Sequence, residues 1–176
     1  MTQSDSRVAV YTGSFDPITL GHLNVIERCS RLVDRLIVGI GINIDKQSLF
    51  SPEERVRLVC ESTAHLANVE VRAFAGLAVQ FVRDCGARVM IRGVRSLSDM
   101  DTEFTMTLAN RKLAPELETV YLMADEEYSH ISSTLIKQIA ALAGDEELAR
   151  FVPPPVVNIL RRKMTEAAGE AKPASA

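Results

Sequence analysis

Short apolar runs rich in β-branched residues recur along the chain, with amphipathic segments between them. "RVAVY" (Arg7 to Tyr11), "RLIVGIGI" (Arg35 to Ile42), "VEVRAF" (Val69 to Phe74), "RVMI" (Arg88 to Ile91) and "TVYLM" (Thr119 to Met123) predict five β-strands. Helical period or helix-start signals occupy Gly21 to Arg31, "SPEERVRLVCES" from Ser51, Leu77 to Cys85, and "SDMDTEFTMTLANRKL" from Ser98. In the second of these, Ser51 as N-cap, Pro52 at the first helical position and Glu54 at the third form a capping box. Gly86 and Pro115 stand where the third and fourth helices should stop.

Strands alternating with helices predict parallel pairing through right-handed crossovers. The expected fold is α/β: a single-domain, doubly wound, Rossmann-like five-stranded parallel sheet with helices on both faces. A helix from about Ser132 to Ala143 follows the fifth strand. Next comes "GDEELARFVPPPVVNILRRKM", read as two short helices broken at Pro153 to Pro155. These form a C-terminal helical extension, so the domain is expected over residues 1–164. The end, "TEAAGEAKPASA", reads as a disordered tail over 165–176. The chain shows no internal repeat and no interdomain linker.

Composition narrows the picture. The 176 residues are 47% hydrophobic, which suits one compact core. A formal net charge of -3 provides no global positive field, so nucleic acid and anionic membrane are not expected partners. Cys29, Cys60 and Cys85 lack metal-ligand spacing and are odd in number, and they read as buried thiols in a reducing compartment. "MTQSDS" has no signal-peptide core, and no stretch approaches the ~18 apolar residues that span a bilayer. A cytoplasmic protein is expected.

Three irregular segments each follow a predicted strand: "TGSFDPITLGH", "RGVRSLSDMDTE" and "DEEYSHISST". In a doubly wound sheet they meet at the carboxyl edge, where ligands bind. Gly13 and Asp16-Pro17 supply bends, and Gly21-His22 opens a helix whose free N–H groups favour an anion, so the first segment reads as a phosphate cradle. It is neither a P-loop nor a dinucleotide fingerprint, because no GKS, GKT or GxGxxG is present. Arg92 and Arg95 flank Gly93 as a candidate anion site, and Gly93 should let the backbone approach a ligand.

Other positions read as structural when taken alone. Lys46 would face solvent, Ser132 or Ser133 would cap a helix, and Asp101 and Glu103 would complement a helix dipole. His65 lies in a connection, and His130 has hydroxyl neighbours but no nucleophile–carboxylate set, which argues against a hydrolase triad.

Taken together, "YTGSFDPITLGH", "RGVRS…E" and "ISSTLIK" resemble the nucleotidylyltransferase superfamily, whose (T/H)xGH motif is matched by Thr19 to His22. The SPEER segment, "LANRKLAPELETVYLM" and "YSHISSTLIK" narrow the resemblance to the bacterial phosphopantetheine adenylyltransferase family, over roughly Arg7 to Arg162. That resemblance implies transfer of AMP from ATP to phosphopantetheine, giving dephospho-coenzyme A and pyrophosphate with Mg2+ assisting. It also implies a homo-oligomer, commonly a hexamer, and feedback inhibition by coenzyme A.

By motif, the resemblance assigns His22 to ATP binding and transition-state stabilisation, and Ser14 to contact with both substrates. Phe15, Gly93, Val94, Arg95, Glu103 and the run Tyr128, Ser129, His130, Ile131, Ser132, Ser133, Thr134 match ATP-binding segments. Lys46 and Arg92 match cations for the substrate phosphate, and Ala78 a pantetheine contact. Thr12, Ser14, Leu20 and Tyr128 stand where the family usually has proline, threonine, asparagine and tryptophan. The alternatives are a nucleotidylyltransferase acting on nicotinate mononucleotide, one using CTP, and a nucleotide-binding regulatory module without chemistry.

Overall fold

The computed structural model describes residues 6–43 and 47–170, with side chains described to Glu166. The five strands are β1 (Val8–Gly13), β2 (Arg35–Ile42), β3 (Val69–Ala75), β4 (Val89–Val94) and β5 (Glu118–Met123). They form one parallel sheet in the order β3-β2-β1-β4-β5. The chain winds outward from β1 to β3 and then returns to place β4 on the other side of β1. The order therefore reverses between β1 and β4, and the switch point lies there.

The helices are α1 (Leu20–Ser30), α2 (Pro52–Ser62), α3 (Ala78–Asp84), α4 (Leu97–Leu113), α5 (Ser133–Ile139), α6 (Asp145–Leu148) and α7 (Pro154–Glu170). Side chains alternate across a strand, so β1 sends Ala9 and Tyr11 into one core and Val10 into the other. The larger core packs residues of α1, α2, α5 and α7 against one face of the sheet. The smaller holds Val79, Phe81 and Val82 of α3, with Ala114 and Leu117 just beyond α4, against the other.

The capping box at Ser51 and Glu54 is formed: Glu54 N–H donates to Ser51 Oγ at 3.2 Å and Ser51 N–H to Glu54 Oε2 at 2.9 Å. Gly86 follows α3 with φ of 68°, a conformation that side chains resist.

Two expectations change at the carboxyl end. The prolines at 153–155 do separate two helices, α6 before them and α7 from Pro154, but the second is long rather than short. α7 begins at Pro154 and runs 17 residues, because a proline in the first turn gives up an N–H that would be unpaired anyway. α7 also continues to Glu170, into the stretch read as a disordered tail, and residues 171–176 lie outside the described residues. Cys29 and Cys85 are buried as expected, whereas Cys60 is exposed. No helix among the described residues is long and apolar enough to cross a membrane.

Candidate active site

A cavity of about 320 Å³ opens at the carboxyl ends of β1 and β4, at the switch point. Its walls come from the three irregular segments: Thr12 to Ser14, the start of α1, Arg92 to Arg95 with α4, and Ile131 to Thr134 at the start of α5.

The floor is set by the loop between β1 and α1. Its left-handed residue is Phe15, at φ of 46°, rather than Gly13. The Phe15 ring is buried edge-on between Tyr11 (5.4 Å between centroids) and His22 (5.1 Å), so it supports the cavity from behind and does not line it. The Asp16 carboxylate accepts the Leu49 and Phe50 N–H groups at 3.1 and 2.9 Å and Lys137 Nζ at 3.0 Å. Buried Arg55 donates through Nη1 to the carbonyls of Ser14 (2.9 Å) and Gly41 (3.0 Å). Ser133 Oγ donates to the Pro17 carbonyl at 2.8 Å. Such cross-links satisfy polar groups that would be costly to bury unpaired, and they hold the loop from three directions.

His22 lies in the first turn of α1. Thr19 is the N-cap: the His22 N–H donates to Thr19 Oγ1 at 3.3 Å, while His22 Nδ1 accepts the Thr19 N–H at 3.1 Å. Histidine thus fills the capping-box position usually taken by glutamate or glutamine. Because Nδ1 is an acceptor, the ring proton resides on Nε2. Burial, with a smaller contribution from the Arg95 guanidinium, lowers the His22 pKa to about 4. At neutral pH the ring is uncharged and Nε2–H is a donor at the cavity wall.

Both arginines of "RGVR" reach the cavity, each committed to a carboxylate on α4. Arg92 donates to Glu103 through Nε (2.7 Å) and Nη2 (2.5 Å), and to the Thr12 carbonyl and hydroxyl through Nη1 (2.7 and 2.8 Å). Arg95 donates to Asp99 through Nε (2.9 Å) and Nη2 (3.1 Å), and to the Ile131 carbonyl through Nη1 (2.8 Å). Bidentate pairing fixes the guanidinium planes.

Gly93 is required by a neighbour as much as by any ligand. A Cβ there would lie 2.7 Å from the Tyr11 hydroxyl oxygen. Burial raises the Tyr11 pKa, so that phenol stays protonated.

Of the residues singled out from the sequence, the cavity gathers Ser14, His22, Arg92, Gly93, Val94, Arg95, Glu103, Ile131, Ser132, Ser133 and Thr134. Phe15, Ala78, Tyr128, Ser129 and His130 lie outside its lining. Ala78 begins α3 after the edge strand β3, where it packs against the smaller core. Tyr128 closes a short 3₁₀ turn (Glu126–Tyr128) and packs near Gly21, while His130 is exposed with its ring facing Phe151. Lys46 lies outside the described residues.

Sequence reasoning passed over Asp99 and Thr102, and noted Thr12 only as a departure from the family pattern. Asp101, weighed beside Glu103, is exposed, and the Arg95 partner is Asp99. The signal was partly available: Asp99 is four residues before Glu103, the spacing that puts side chains on one helical face, and it falls in the first turn of α4 just after Arg95. Among the described residues, no three His, Cys, Asp or Glu side chains converge as a metal-binding group.

A cytidylyltransferase-like family profile matches residues 10–139. Over 158 residues the chain is 61% identical to the phosphopantetheine adenylyltransferase of Rhodopirellula baltica, covering 89% of this chain and 88% of that one. It is 51% identical over 156 residues to the enzyme of the same name from a Synechococcus strain, covering 89% and 97%. Among solved structures, the nicotinic acid mononucleotide adenylyltransferase of Plasmodium falciparum superposes with a TM-score of 0.66 at 14% identity. It covers 89% of this chain and 95% of its own, a likeness of fold alone.

Proposed function

The chain belongs to the cytidylyltransferase-like family and, within it, to the phosphopantetheine adenylyltransferases, and on that premise we propose how its cavity carries out the reaction. It is an enzyme of coenzyme A biosynthesis that transfers AMP from ATP to phosphopantetheine, releasing pyrophosphate and forming dephospho-coenzyme A.

The transfer is direct and in line. A phosphate monoester, with a second pKa near 6, is largely a dianion at neutral pH, so its oxygen attacks the α-phosphorus of ATP without a general base. What the protein supplies is alignment and charge stabilisation. Arg92 and Lys46 hold the attacking phosphate, and Ser14 lies between the two substrates. Arg95, Val94, Gly93 and the start of α5 take the ATP side, with Phe15, Glu103 and Tyr128 to His130 shaping that side, and Ala78 takes the pantetheine arm. His22 donates Nε2–H to the α-phosphate as charge grows there. The observation that carries this role is the reciprocal Thr19–His22 capping box, which sets the tautomer and turns the ring at the cavity wall.

Magnesium enters as part of the substrate, bound to the triphosphate. The two cavity carboxylates, Asp99 and Glu103, are each occupied by an arginine, and Mg2+ ordinarily keeps most of its ligands as water and phosphate oxygen.

The enzyme works in the cytoplasm as a homo-oligomer, a hexamer by family pattern, with coenzyme A as feedback inhibitor. In support of assembly, α4 and β5 expose Phe104, Met106, Leu108, Leu113, Val120 and Met123.

Purified protein with ATP and magnesium is incubated with phosphopantetheine in one tube and nicotinate mononucleotide in another. Pyrophosphate release and a dephospho-coenzyme A mass in the first tube alone is the expected result. Release in the second alone would overturn the substrate assignment.

A further inference from the structure

The Arg92 guanidinium is gripped on two sides. Glu103 takes one Nε and one Nη2 hydrogen, and Thr12 takes both Nη1 hydrogens, one on its carbonyl and one on its hydroxyl. A guanidinium has five N–H groups, so among the described residues four are committed and a single Nη2–H remains for a ligand. Glu103 is itself steadied, since the Tyr121 hydroxyl donates to its carbonyl at 3.1 Å and pairs with Thr107 Oγ1 at 2.5 Å.

The two Thr12 contacts differ in kind. The carbonyl is backbone, which any residue offers, whereas the hydroxyl is specific to the side chain. Thr12 is only 3% exposed, so its hydroxyl meets Arg92 largely out of contact with bulk solvent. Losing that hydroxyl frees one Nη1 hydrogen and leaves the guanidinium anchored at one point instead of two on that side.

We propose that Thr12 is a positioning residue for the phosphate nucleophile: through its hydroxyl it locks the Arg92 guanidinium so that one N–H is presented to the phosphopantetheine phosphate. This rests on the role proposed above for Arg92.

The test compares Thr12→Val, nearly isosteric but without the hydroxyl, with Thr12→Ser, which keeps it, and with Arg92→Ala. Steady-state kinetics are measured against each substrate separately. Thr12→Val is expected to raise the KM for phosphopantetheine about five- to tenfold, an indirect fraction of a charged hydrogen bond. The KM for ATP should stay within about twofold, and Thr12→Ser should restore the wild-type KM for phosphopantetheine.

An unchanged phosphopantetheine KM in Thr12→Val, a parallel rise in both KM values, or a Thr12→Ser enzyme as impaired as Thr12→Val would each overturn the proposal. If Arg92→Ala raises the phosphopantetheine KM while Thr12→Val does not, Thr12 alone has lost its role. If Arg92→Ala leaves that KM unchanged, the assignment of Arg92 fails and takes the Thr12 proposal with it. Should Thr12→Val not fold, Thr12→Ala removes the same hydroxyl without added bulk and is read the same way.

Discussion

α1 and α4 both leave central strands at the cavity, and both begin on a hydroxyl cap: Thr19 on the His22 N–H, Ser96 on the Asp99 N–H. Their fates diverge from there. α1 is 11 residues long and buries Gly21, Val25, Ile26, Cys29 and Ser30, while α4 is 17 residues long and buries none. Phe104, Met106 and Leu108 of α4 are each more than half exposed. α1 is therefore positioned by the core, and it presents one uncharged donor, His22, from a rigid base. α4 is positioned chiefly by polar contacts, through Arg92–Glu103, Arg95–Asp99 and Thr107–Tyr121. One wall of the cavity is built by packing and the other by ion pairs.

The sharpest way to test that contrast is at the chemistry itself. His22→Ala should lower kcat by roughly 10²–10³-fold, the size seen when one donor to a developing charge is lost, with a much smaller change in the KM for ATP. Equal losses in kcat and in ATP affinity would reduce His22 to a binding residue.

Stability comes next. Ile26→Ala, in the core side of α1, should cost about 2–5 kcal/mol by urea unfolding. Leu108→Ala on α4 should cost under about 1 kcal/mol in the dissociated subunit. Similar costs would erase the distinction between the two helices. The outer face of α4 can also be probed by assembly. Phe104→Asp should lower the mass seen by light scattering while leaving the circular dichroism spectrum unchanged, and an unaltered mass would remove that face from any subunit contact.

A smaller effect is expected at the caps. Thr19→Ala and Ser96→Ala should each cost about 1 kcal/mol of stability. Only Thr19→Ala should also slow turnover beyond that, because it removes the Thr19 Oγ1 contact to His22 Nδ1 at 3.0 Å and leaves the ring held by the Thr19 N–H alone; equal rate losses in both variants would mean that the cap does not tune the histidine.

A separate effect is with pH. The folded His22 pKa of about 4 lies below the ordinary 6.5, so between those values the unfolded chain binds more protons. This contribution to stability is complete above about pH 6.5 and is lost as pH falls towards 4. An NMR titration should find the His22 ring still neutral at pH 5.5, and a midpoint near 6.5 would contradict the buried, Arg95-facing environment.

Much of the fold was legible because its signals are local. All five apolar runs are strands, and the Ser51 box, Gly86 and Pro115 mark helix ends as the rules of capping require. The prolines did mark the break between α6 and α7, and the miss was the length of α7, which runs from a first-turn proline into the stretch read as a tail. In the site, His22, Arg92 and Arg95 stood out because glycines and a strand end surrounded them. Asp16 and Arg55 did not, because their role is to satisfy backbone groups of segments distant in sequence. Phe15 and Ala78 could be matched by motif, yet motif order says nothing about which way a side chain turns once the chain is packed.

The linear order of apolar and polar residues determined the number of strands, their parallel pairing and the edge at which the irregular segments gather, since those depend on periodicity and on crossover handedness. Tertiary structure alone decided that His22 is a neutral Nε2–H donor, that each cavity arginine is paired to α4, and that the apolar outer face of α4 is exposed among the described residues. Charge state and orientation are set by burial and by neighbours many residues away, and neither quantity exists until the chain has folded.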